Sequence, residues 1–417
     1  KTRVKATYLY RNPPEESFSP ENSNMKAATS RTDMIISRLI KKDQLKQFQE
    51  EIDKKIAIGC LEQVPEDEIE TLLKGVHHFC YLQLVFSENS ESTSTRMINN
   101  TLTGTPGGTS YSIENKVPVS EIGDSHESLL NFLLYRYGYS SDISKCYLRV
   151  LVDSLTANLR LMVWYKNPLK REGLIIYRRN TMDFGDAASA LIVRIIQKKF
   201  LSPKAKLEAT RHTILAGGYA DNYSDSFESL GEYKAVSKDM NEVHDEIGLP
   251  LKATYCDIKT DPEILKKLGK EDEETPCYNF LGIAWNLREN TVLPNTYFNL
   301  CKKLKGQSGE KKLMDMKPED FTESFLAGIT RRVLSRLAAQ AYDRLGLFLG
   351  PIISGLKILV SRSTELSTST QLDKSLAKVD EEFVATCGKF LKDLPNLKNL
   401  KPHPKELVPE GNKLIGI

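Results

Sequence analysis

The sequence predicts an α+β fold in which a ferredoxin-like sheet is followed by a separate helical unit. Between residues 138 and 287, strand-like runs and two long helical patterns occur in the order strand, helix, strand-turn-strand, helix, strand. This is the order of a split β-α-β unit, whose antiparallel sheet leaves one face open for a substrate. Residues 317–400 are largely helical in character and follow a polar, glycine-containing linker at 302–312.

The composition sets limits on the class of protein. With 417 residues, 40% of them hydrophobic and 27% charged, the chain is long enough for two or three globular units. A net charge of +3 means that any nucleic-acid surface must be a local groove. Seven scattered cysteines without a C-x-x-C pair predict reduced thiols in an intracellular compartment. No run approaches the roughly 18 apolar residues of a membrane span, and because the chain starts with Lys1, we expect a piece of a longer protein.

The N-terminal part of the chain is predicted to contain helices, then a strand and a long loop. Residues 31–75 carry apolar residues at three-four spacing between charged ones, which indicates amphipathic helices, and residues 77–86 are typical of a strand. The next segment, 87–112, is almost wholly Ser, Thr, Asn and Gly and predicts a long mobile loop or fingertip. His77 and His78 have only Cys80 nearby and no pair of cysteines at zinc spacing, so we interpret them as packing and hydrogen-bonding residues.

The central region supplies the elements of the sheet. Strands are predicted at 138–153, 159–166, 173–180, 251–258 and 278–287, and helices at 186–201 and 224–248. Between the two helices, the stretch YADN predicts a hairpin turn with Asp221 on it.

Two aspartates draw attention in this arrangement. Asp142 ends the first core strand, and Asp221 lies on the hairpin turn of a neighbouring strand. Two carboxylates brought together in this way form a site for two divalent cations about 3.5–4 Å apart, as phosphoryl transfer requires. Taken alone, the Asp-Asn pair is better explained as an ordinary hairpin turn, because both side chains bond their own backbone.

These residues and their neighbours resemble the reverse transcriptase of BEL/Pao long-terminal-repeat retrotransposons, over nearly the whole chain and in family order. The long stretch TRRVLSRLAAQAYDRLGLFLGPIISGLKIL at 330–359 is similar to the family's TKR.vLS.ia.iyDPLGl..P...gKil. Shorter matches pair SSDISKCYL with aDI.kmF, LRLMVWYK with LRFLW, TMDFGDAASA with vtFGltsSP, YADN with YVDD, LPLKATYCDIK with l.KW.SN, and NFLGIAWN with vLGl.W.

The resemblance implies a right-hand polymerase. Its parts would be an N-terminal extension and fingers at 1–135, a palm at 136–290 with an interleaved fingers segment at about 154–200, a thumb at 291–370, and a connection at 371–417 toward a ribonuclease H region. The implied activity is DNA synthesis on an RNA template from a DNA primer and deoxynucleoside triphosphates, with Mg²⁺ or, in its place, Mn²⁺. The implied setting is a retroelement polyprotein in a cytoplasmic virus-like particle or the nucleus, without a membrane partner.

The resemblance also implies roles for single residues. Asp142 and Asp221 would be catalytic metal ligands, with Asn222 as a neutral ligand, and Lys252 would donate a proton to pyrophosphate. The nucleotide-binding residues would be Arg96 at the triphosphate, Tyr147 as the side chain that excludes the ribose 2′-hydroxyl, and Phe184 and Gly185 beneath the templating base and incoming nucleotide. The nucleic-acid-binding residues would be Leu281 and Gly282 at the primer end and Lys166, Lys170, Arg171, Arg178, Arg179, Lys198 and Lys199 along the template.

Each of these residues has a plainer explanation. Tyr147 in isolation is a core aromatic, Lys252 a solvated lysine at a strand end, and the basic residues an ordinary charged surface. The sequence also departs from the family pattern at Asn222 in the metal turn, at Ser94 where a lysine is common, at Asn100 in place of an aspartate, and at Arg344 in place of a proline. An alternative is therefore a domesticated, weakly active or inactive protein that binds nucleic acid or serves in assembly.

Overall fold

The structure is a computed structural model. It describes residues 3–8, 10, 13–86, 95–100, 123–186, 188–295, 297–299, 310–312, 317–341, 343, 346, 349–368, 371–399 and 402–407. The described α-helices are α1 (Pro14–Ser17), α2 (Met25–Lys41), α3 (Leu45–Ala57), α4 (Glu66–Lys74), α5 (Ser125–Leu134), α6 (Cys146–Arg149), α7 (Ser154–Asn158), α8 (Ser189–Ile196), α9 (Glu208–Leu215), α10 (Leu230–Glu246), α11 (Ile264–Leu268), α12 (Glu323–Ala327), α13 (Arg331–Gln340), α14 (Gly350–Leu366) and α15 (Glu381–Asp393).

The described strands are β1 (Lys5–Ala6), β2 (Leu61–Gln63), β3 (Tyr81–Phe86), β4 (Thr95–Asn100), β5 (Tyr137–Ile143), β6 (Leu151–Val152), β7 (Met162–Asn167), β8 (Glu172–Arg179), β9 (Gly218–Tyr219), β10 (Asn222–Phe227), β11 (Leu251–Tyr255), β12 (Cys277–Phe280), β13 (Ile283–Asn286), β14 (Thr291–Pro294), β15 (Tyr297–Asn299), β16 (Glu310–Lys312) and β17 (His403–Pro404). Helix α8 continues into a π-helical segment at Gln197–Leu201. None of the helices in the described ranges is long and apolar enough to cross a membrane.

The chain divides into two compact units. Unit 1 comprises Lys1–Asp124, Ser141–Tyr223 and Lys234–Thr254, and unit 2 comprises Ser125–Ser140, Ser224–Tyr233 and Tyr255–Ile417. The polymerase domain boundaries implied by the resemblance are a finer division, and they stay a prediction.

The central sheet has the strand order that the sequence predicts. Its four strands lie in the order β11–β5–β10–β9, which is fourth, first, third, second in chain order. Helix α8 precedes β9, and α10 connects β10 to β11, as in a split β-α-β unit. Strands β9 and β10 form an antiparallel hairpin with Asn222 opposite Tyr219, so the predicted YADN turn is confirmed.

The N-terminal helices of unit 1 pack on a second sheet. Strands β2, β8 and β7 form it in that order. Ile36 and Leu39 of α2 and Phe48 and Ile52 of α3 are buried with Trp164 of β7, and the rings of Phe48 and Trp164 lie 4.9 Å apart. Each such side chain contributes about 1.5–3 kcal/mol by leaving water, so the three-four spacing of apolar residues builds a core that holds β7 and β8.

Unit 2 contains the predicted C-terminal helices. Side-chain oxygens of Thr322, Thr330 and Asp380 accept backbone N–H groups at the starts of α12, α13 and α15. Leu334 and Leu391 are fully buried in the apolar cluster that these helices share with α14. A sheet of order β12–β13–β14–β17 completes the unit.

The helix predicted over 224–248 begins only at Leu230, because Asn222–Phe227 form strand β10. The stretch NYSDSF is too polar to resemble a buried strand, yet Ser224 and Asp225 are buried. Ser224 Oγ lies 2.6 Å from Ser128 Oγ, and such hydrogen bonds allow polar residues in a core strand.

Two other predictions need correction. Within the polar segment predicted as a loop, Thr95–Asn100 form strand β4, paired with β3 so that Arg96 lies opposite Val85; Ser94 and residues 101–122 lie outside the described residues. Within the predicted linker, Glu310–Lys312 form strand β16, paired with β15. Arg344 also lies outside the described residues.

The two histidines are buried, as expected for packing residues. The ring nitrogens of His77 lie 2.7 Å from Ser23 Oγ and 2.9 Å from the Gly75 carbonyl oxygen. Burial lowers the pKa of His78 to about 4, so it is neutral at pH 7.

Candidate active site

The two candidate catalytic aspartates lie at the ends of neighbouring strands in unit 1. Asp142 is the penultimate residue of β5, and Asp221 lies in the two-residue turn between β9 and β10. The backbone N–H of Ile143 donates to the carbonyl oxygen of Asp221 at 2.9 Å. The backbones of Asp142 and Asp221 are therefore next to each other, and both residues are half-buried.

Both carboxylates affect the same neighbouring side chains. Burial raises the pKa of the Cys146 thiol well above its usual value, and the charges of Asp221 and Asp142 raise it further. Burial also raises the pKa of Tyr147, again with Asp221 and Asp142 contributing. Burial, with a smaller contribution from the two aspartates, thus keeps Cys146 a thiol and Tyr147 a neutral phenol.

The donor atoms at this turn fit Mg²⁺. In the described part of the chain, no group of three or more His, Cys, Asp or Glu side chains is arranged to hold a metal ion. Asp142 and Asp221 nevertheless supply carboxylate oxygens, and half-buried Asn222 follows as the first residue of β10. Mg²⁺ is commonly bound by one or two carboxylates plus substrate phosphates rather than by an all-protein cage, so this donor set suits it.

Tyr147 is in contact with the second predicted nucleotide-binding segment. Its ring meets the ring of Phe184 edge to face, with centroids 5.1 Å apart and an interplanar angle of 84°. Gly185 follows with φ of +93°, a left-handed conformation that favours glycine. The structure therefore brings Tyr147, Phe184 and Gly185 together, whereas the side chain of Arg96 lies outside what it describes.

Lys252 lies on the strand beside Asp142. It is exposed on β11, which neighbours β5 in the sheet. Ser141 Oγ donates to the carbonyl oxygen of Ala253 at 2.9 Å. Ala253, which follows Lys252, and Ser141, which precedes Asp142, are thus in direct contact.

Three of the predicted template-binding residues form ion pairs with carboxylates of α2 and α4. The distances are 3.4 Å from Lys166 to Glu66, 3.6 Å from Arg171 to Asp33, and 3.4 Å from Arg178 to Glu68. Such partly exposed pairs are each worth at most about 1 kcal/mol, so a phosphate backbone could compete for these cations. Lys170 is exposed in the β7–β8 turn, and Lys198 and Lys199 are exposed on the π-helical segment.

Arg179 is wrongly assigned to nucleic-acid binding. Its side chain is buried, and Nη1 lies 2.7 Å from Asp183 Oδ2. Consecutive residues of a strand point to opposite faces, so Arg178 is partly exposed while Arg179 faces the core. A guanidinium held in this way cannot reach a phosphate backbone.

Leu281 and Gly282 lie in unit 2. They form the turn between β12 and β13 and have φ angles of +45° and +88°. Left-handed conformations at both central residues are typical of a tight two-residue hairpin. The stretch predicted as one strand over 278–287 is therefore a hairpin.

A buried group of charged residues beneath Phe184 and Gly185 was not predicted. Asp183 and Asp186 flank these two residues, and both are buried. Asp183 pairs with Lys55 at 2.8 Å, and Asp186 pairs with Arg160 at 2.9 Å. The two aspartates around Phe-Gly were visible in the sequence, but Lys55 lies 128 positions away from Asp183 along the chain.

No protein-family model matches the sequence, and no curated protein matches it. Among solved structures, the chain is similar to a foamy viral protease-reverse transcriptase in complex with double-stranded DNA. The identity is 13%, the TM-score is 0.42, and the likeness covers 83% of this chain and 48% of that chain. The chain thus spans about half the length of that protein. A likeness of this extent does not by itself assign a function.

Proposed function

We propose that the chain is a reverse-transcriptase module of a BEL/Pao-like retroelement polyprotein that synthesises DNA on an RNA template. The observation that supports this proposal best is the meeting of Asp142 and Asp221 at adjacent strand ends beside Tyr147. A two-carboxylate centre next to an aromatic side chain suits a nucleotidyltransferase that must hold metal ions and discriminate between sugars.

The proposal gives each residue of the site a task. Asp142, Asp221 and Asn222 would hold two Mg²⁺, which when bound activate the primer hydroxyl and neutralise the leaving pyrophosphate. The Tyr147 ring, held by Phe184 at 5.1 Å, would occupy the space that a 2′-hydroxyl needs. Gly185, without a side chain, would let the incoming nucleotide approach the backbone. Lys252 would donate a proton to pyrophosphate, and Arg96 would bind the triphosphate.

The wider setting belongs to the same proposal. A right-hand arrangement would place RNA template and DNA primer across the open face of the central sheet. Lys166, Lys170, Arg171, Arg178, Lys198 and Lys199 would neutralise phosphates of the template, which makes binding dependent on salt. Leu281 and Gly282 would lie at the primer end, and the compartment would be a cytoplasmic particle or the nucleus.

A second candidate is a nucleic-acid-binding or assembly protein without polymerase activity. Asn222 favours it, because an amide in the metal turn removes one negative charge from the site. The ion pairs of Lys166, Arg171 and Arg178 do not distinguish the candidates, because both require a surface that binds nucleic acid.

Primer extension on poly(rA)-oligo(dT) separates the two candidates. The chain and its Asp142→Ala variant are compared with Mg²⁺ and with Mn²⁺, and binding of the same primer-template is measured in parallel. We expect extension by the natural chain only. Extension that survives Asp142→Ala would come from a contaminant, and binding without extension in either metal would support the second candidate.

A further inference from the structure

The loop that carries Phe184 and Gly185 is fixed from the protein interior by Asp183. One carboxylate oxygen, Oδ1, accepts the backbone N–H of Phe184 at 2.9 Å. The other, Oδ2, accepts from Lys55 Nζ at 2.8 Å and from Arg179 Nη1 at 2.7 Å. A single buried side chain therefore joins the loop to helix α3 and strand β8, all within unit 1.

Asp186 fixes the other end of the same loop. Its Oδ2 accepts the backbone N–H of Asp183 at 3.0 Å and lies 2.9 Å from Arg160 Nη2. The Tyr8 hydroxyl donates to the same oxygen at 3.4 Å, and the Arg160 guanidinium lies 4.1 Å from the centroid of the Tyr8 ring. Burial raises the pKa of Asp186, while the charge of Arg160 lowers it. These contacts tie both ends of a four-residue loop to buried groups.

The residues between the two carboxylates are those that face the proposed nucleotide site. Phe184 is half-buried with its ring against Tyr147, and Gly185 is exposed. We propose that Asp183 and Asp186 are positioning residues that hold Phe184 against Tyr147 and thereby set the selectivity for deoxyribonucleotides over ribonucleotides. This inference rests on the proposed polymerase function.

The proposed role of Asp183 depends on its two carboxylate oxygens. A carboxylate offers two acceptor oxygens, whereas an amide offers one oxygen and an NH₂ group that only donates. In Asp183→Asn, that single oxygen must serve either Phe184 N–H or the two cations, because Lys55 and Arg179 are also donors. The substitution therefore releases either the loop or the cations, although it leaves the side-chain shape almost unchanged.

Lys55→Met provides a matched comparison. It removes one cation but leaves both oxygens of Asp183 available for Phe184 and Arg179. In the double variant Lys55→Met/Asp183→Asn, the single amide oxygen at position 183 must again serve both Phe184 and Arg179. This variant has one buried cation fewer than Asp183→Asn alone. The effect of Asp183→Asn is thus measurable on two backgrounds, even if the single variant fails to fold.

The first measurement is the ratio of kcat/KM for dTTP to that for rUTP on poly(rA)-oligo(dT), with Tyr147→Ala as the reference for lost selectivity. We expect Asp183→Asn to lower this ratio by about tenfold or more on either background, and Lys55→Met to keep it near the natural value. Equal ratios for Lys55→Met and the double variant would overturn the inference, because they would show that Asp183 acts on stability alone.

The second measurement does not depend on polymerase activity. With 3-fluorotyrosine placed at position 147, the ¹⁹F resonance reports the ring environment in each variant. We expect it to shift or broaden in the double variant and to stay unchanged in Lys55→Met. An unchanged resonance in the double variant would show that Asp183 does not position Tyr147. A shifted resonance without polymerisation by any variant would support the positioning of Tyr147 and refute the proposed polymerase function together with its nucleotide selectivity.

Discussion

Unit 1 contains two pairs of aspartates that differ in burial and in their ion pairs. Asp142 and Asp221 are half-buried at strand ends, and with burial, which is the larger cause, their charges raise the pKa of neighbouring Cys146 and Tyr147. Asp183 and Asp186 are buried and ion-paired with Lys55, Arg179 and Arg160 at 2.7–2.9 Å. The second pair is thus matched by buried cations, while the first lies half-buried at strand ends.

The two settings suit different tasks. Half-buried carboxylates at strand ends are accessible to a bound cation. Carboxylates matched to buried cations fix the backbone, and removal of one partner leaves an uncompensated charge in the core. Substitutions of one type, Asp to Asn, should therefore cost less stability at the first pair than at the second.

The largest expected effect is on activity at the first pair. Under the proposed function, Asp142→Asn should lower the rate of primer extension by about 10³-fold or more, because a neutral amide would weaken the hold on both metal ions. Its free energy of unfolding should change less than that of Asp183→Asn, because Asp142 is half-buried and Asp183 is buried.

Asp373→Asn is the matched control for this substitution. Asp373 pairs with Arg332 at an exposed site in unit 2, so the control should change neither rate nor stability appreciably. Urea unfolding followed by circular dichroism measures stability. A marked loss of stability in Asp142→Asn would remove the contrast between the two pairs.

Next comes stability at the second pair. Asp183→Asn should lower the free energy of unfolding by roughly 3–5 kcal/mol, because it leaves Lys55 and Arg179 buried without their carboxylate. Lys55→Met should cost less, since Arg179 still neutralises Asp183. Natural stability in Asp183→Asn, measured in the same urea titration, would show that the buried charges are dispensable.

Unit 2 extends the comparison to a buried cation. Lys405 is fully buried, and its Nζ donates to the carbonyl oxygens of Tyr135 and Arg136. Burial lowers its pKa from 10.5 to about 7, although nearby Asp257 raises it slightly. Between these values the unfolded chain binds more protons than the folded chain, so the free energy of unfolding rises with pH by up to about 1.4 kcal/mol per unit.

The stability that comes from the deprotonation of Lys405 is present at high pH and is lost as pH falls through about 7. Lys405→Met should lack it. Urea unfolding of both proteins at about pH 6, 7.5 and 9 measures the difference, which should grow in favour of the natural chain as pH rises. A difference that is constant with pH would mean that Lys405 stays protonated in the folded state.

The smallest expected effect concerns Asn222. Asn222→Asp adds a carboxylate beside Asp142 and Asp221, so the affinity for divalent cations should rise by roughly three- to tenfold. Titration with Mn²⁺ followed by electron paramagnetic resonance measures this without reliance on activity. Unchanged affinity would place position 222 outside the metal site, whereas higher affinity without polymerisation would locate the defect elsewhere, such as in the segment around Arg96.

The amino-acid pattern alone was enough to predict the N-terminal helices and the order of elements in the central sheet. The three-four spacing of apolar residues is enough to define α2 and α3, since one helical face is then apolar wherever the helix packs. The order of strands and helices is enough to bring Asp142 and Asp221 to neighbouring strand ends, because a split β-α-β unit has one strand order. Their role at that position remains a prediction.

Which charged residues face the core depends on the packing of distant segments. Arg178 and Arg179 are neighbours of identical chemistry, and the packing of β8 exposes one and buries the other. Lys55 and Asp183 are 128 positions apart, and no local sequence pattern predicts their hydrogen bond. Local sequence patterns predict helices and strands because these elements depend on backbone geometry. The pairing of buried charges depends instead on which distant segments the folded chain brings into contact.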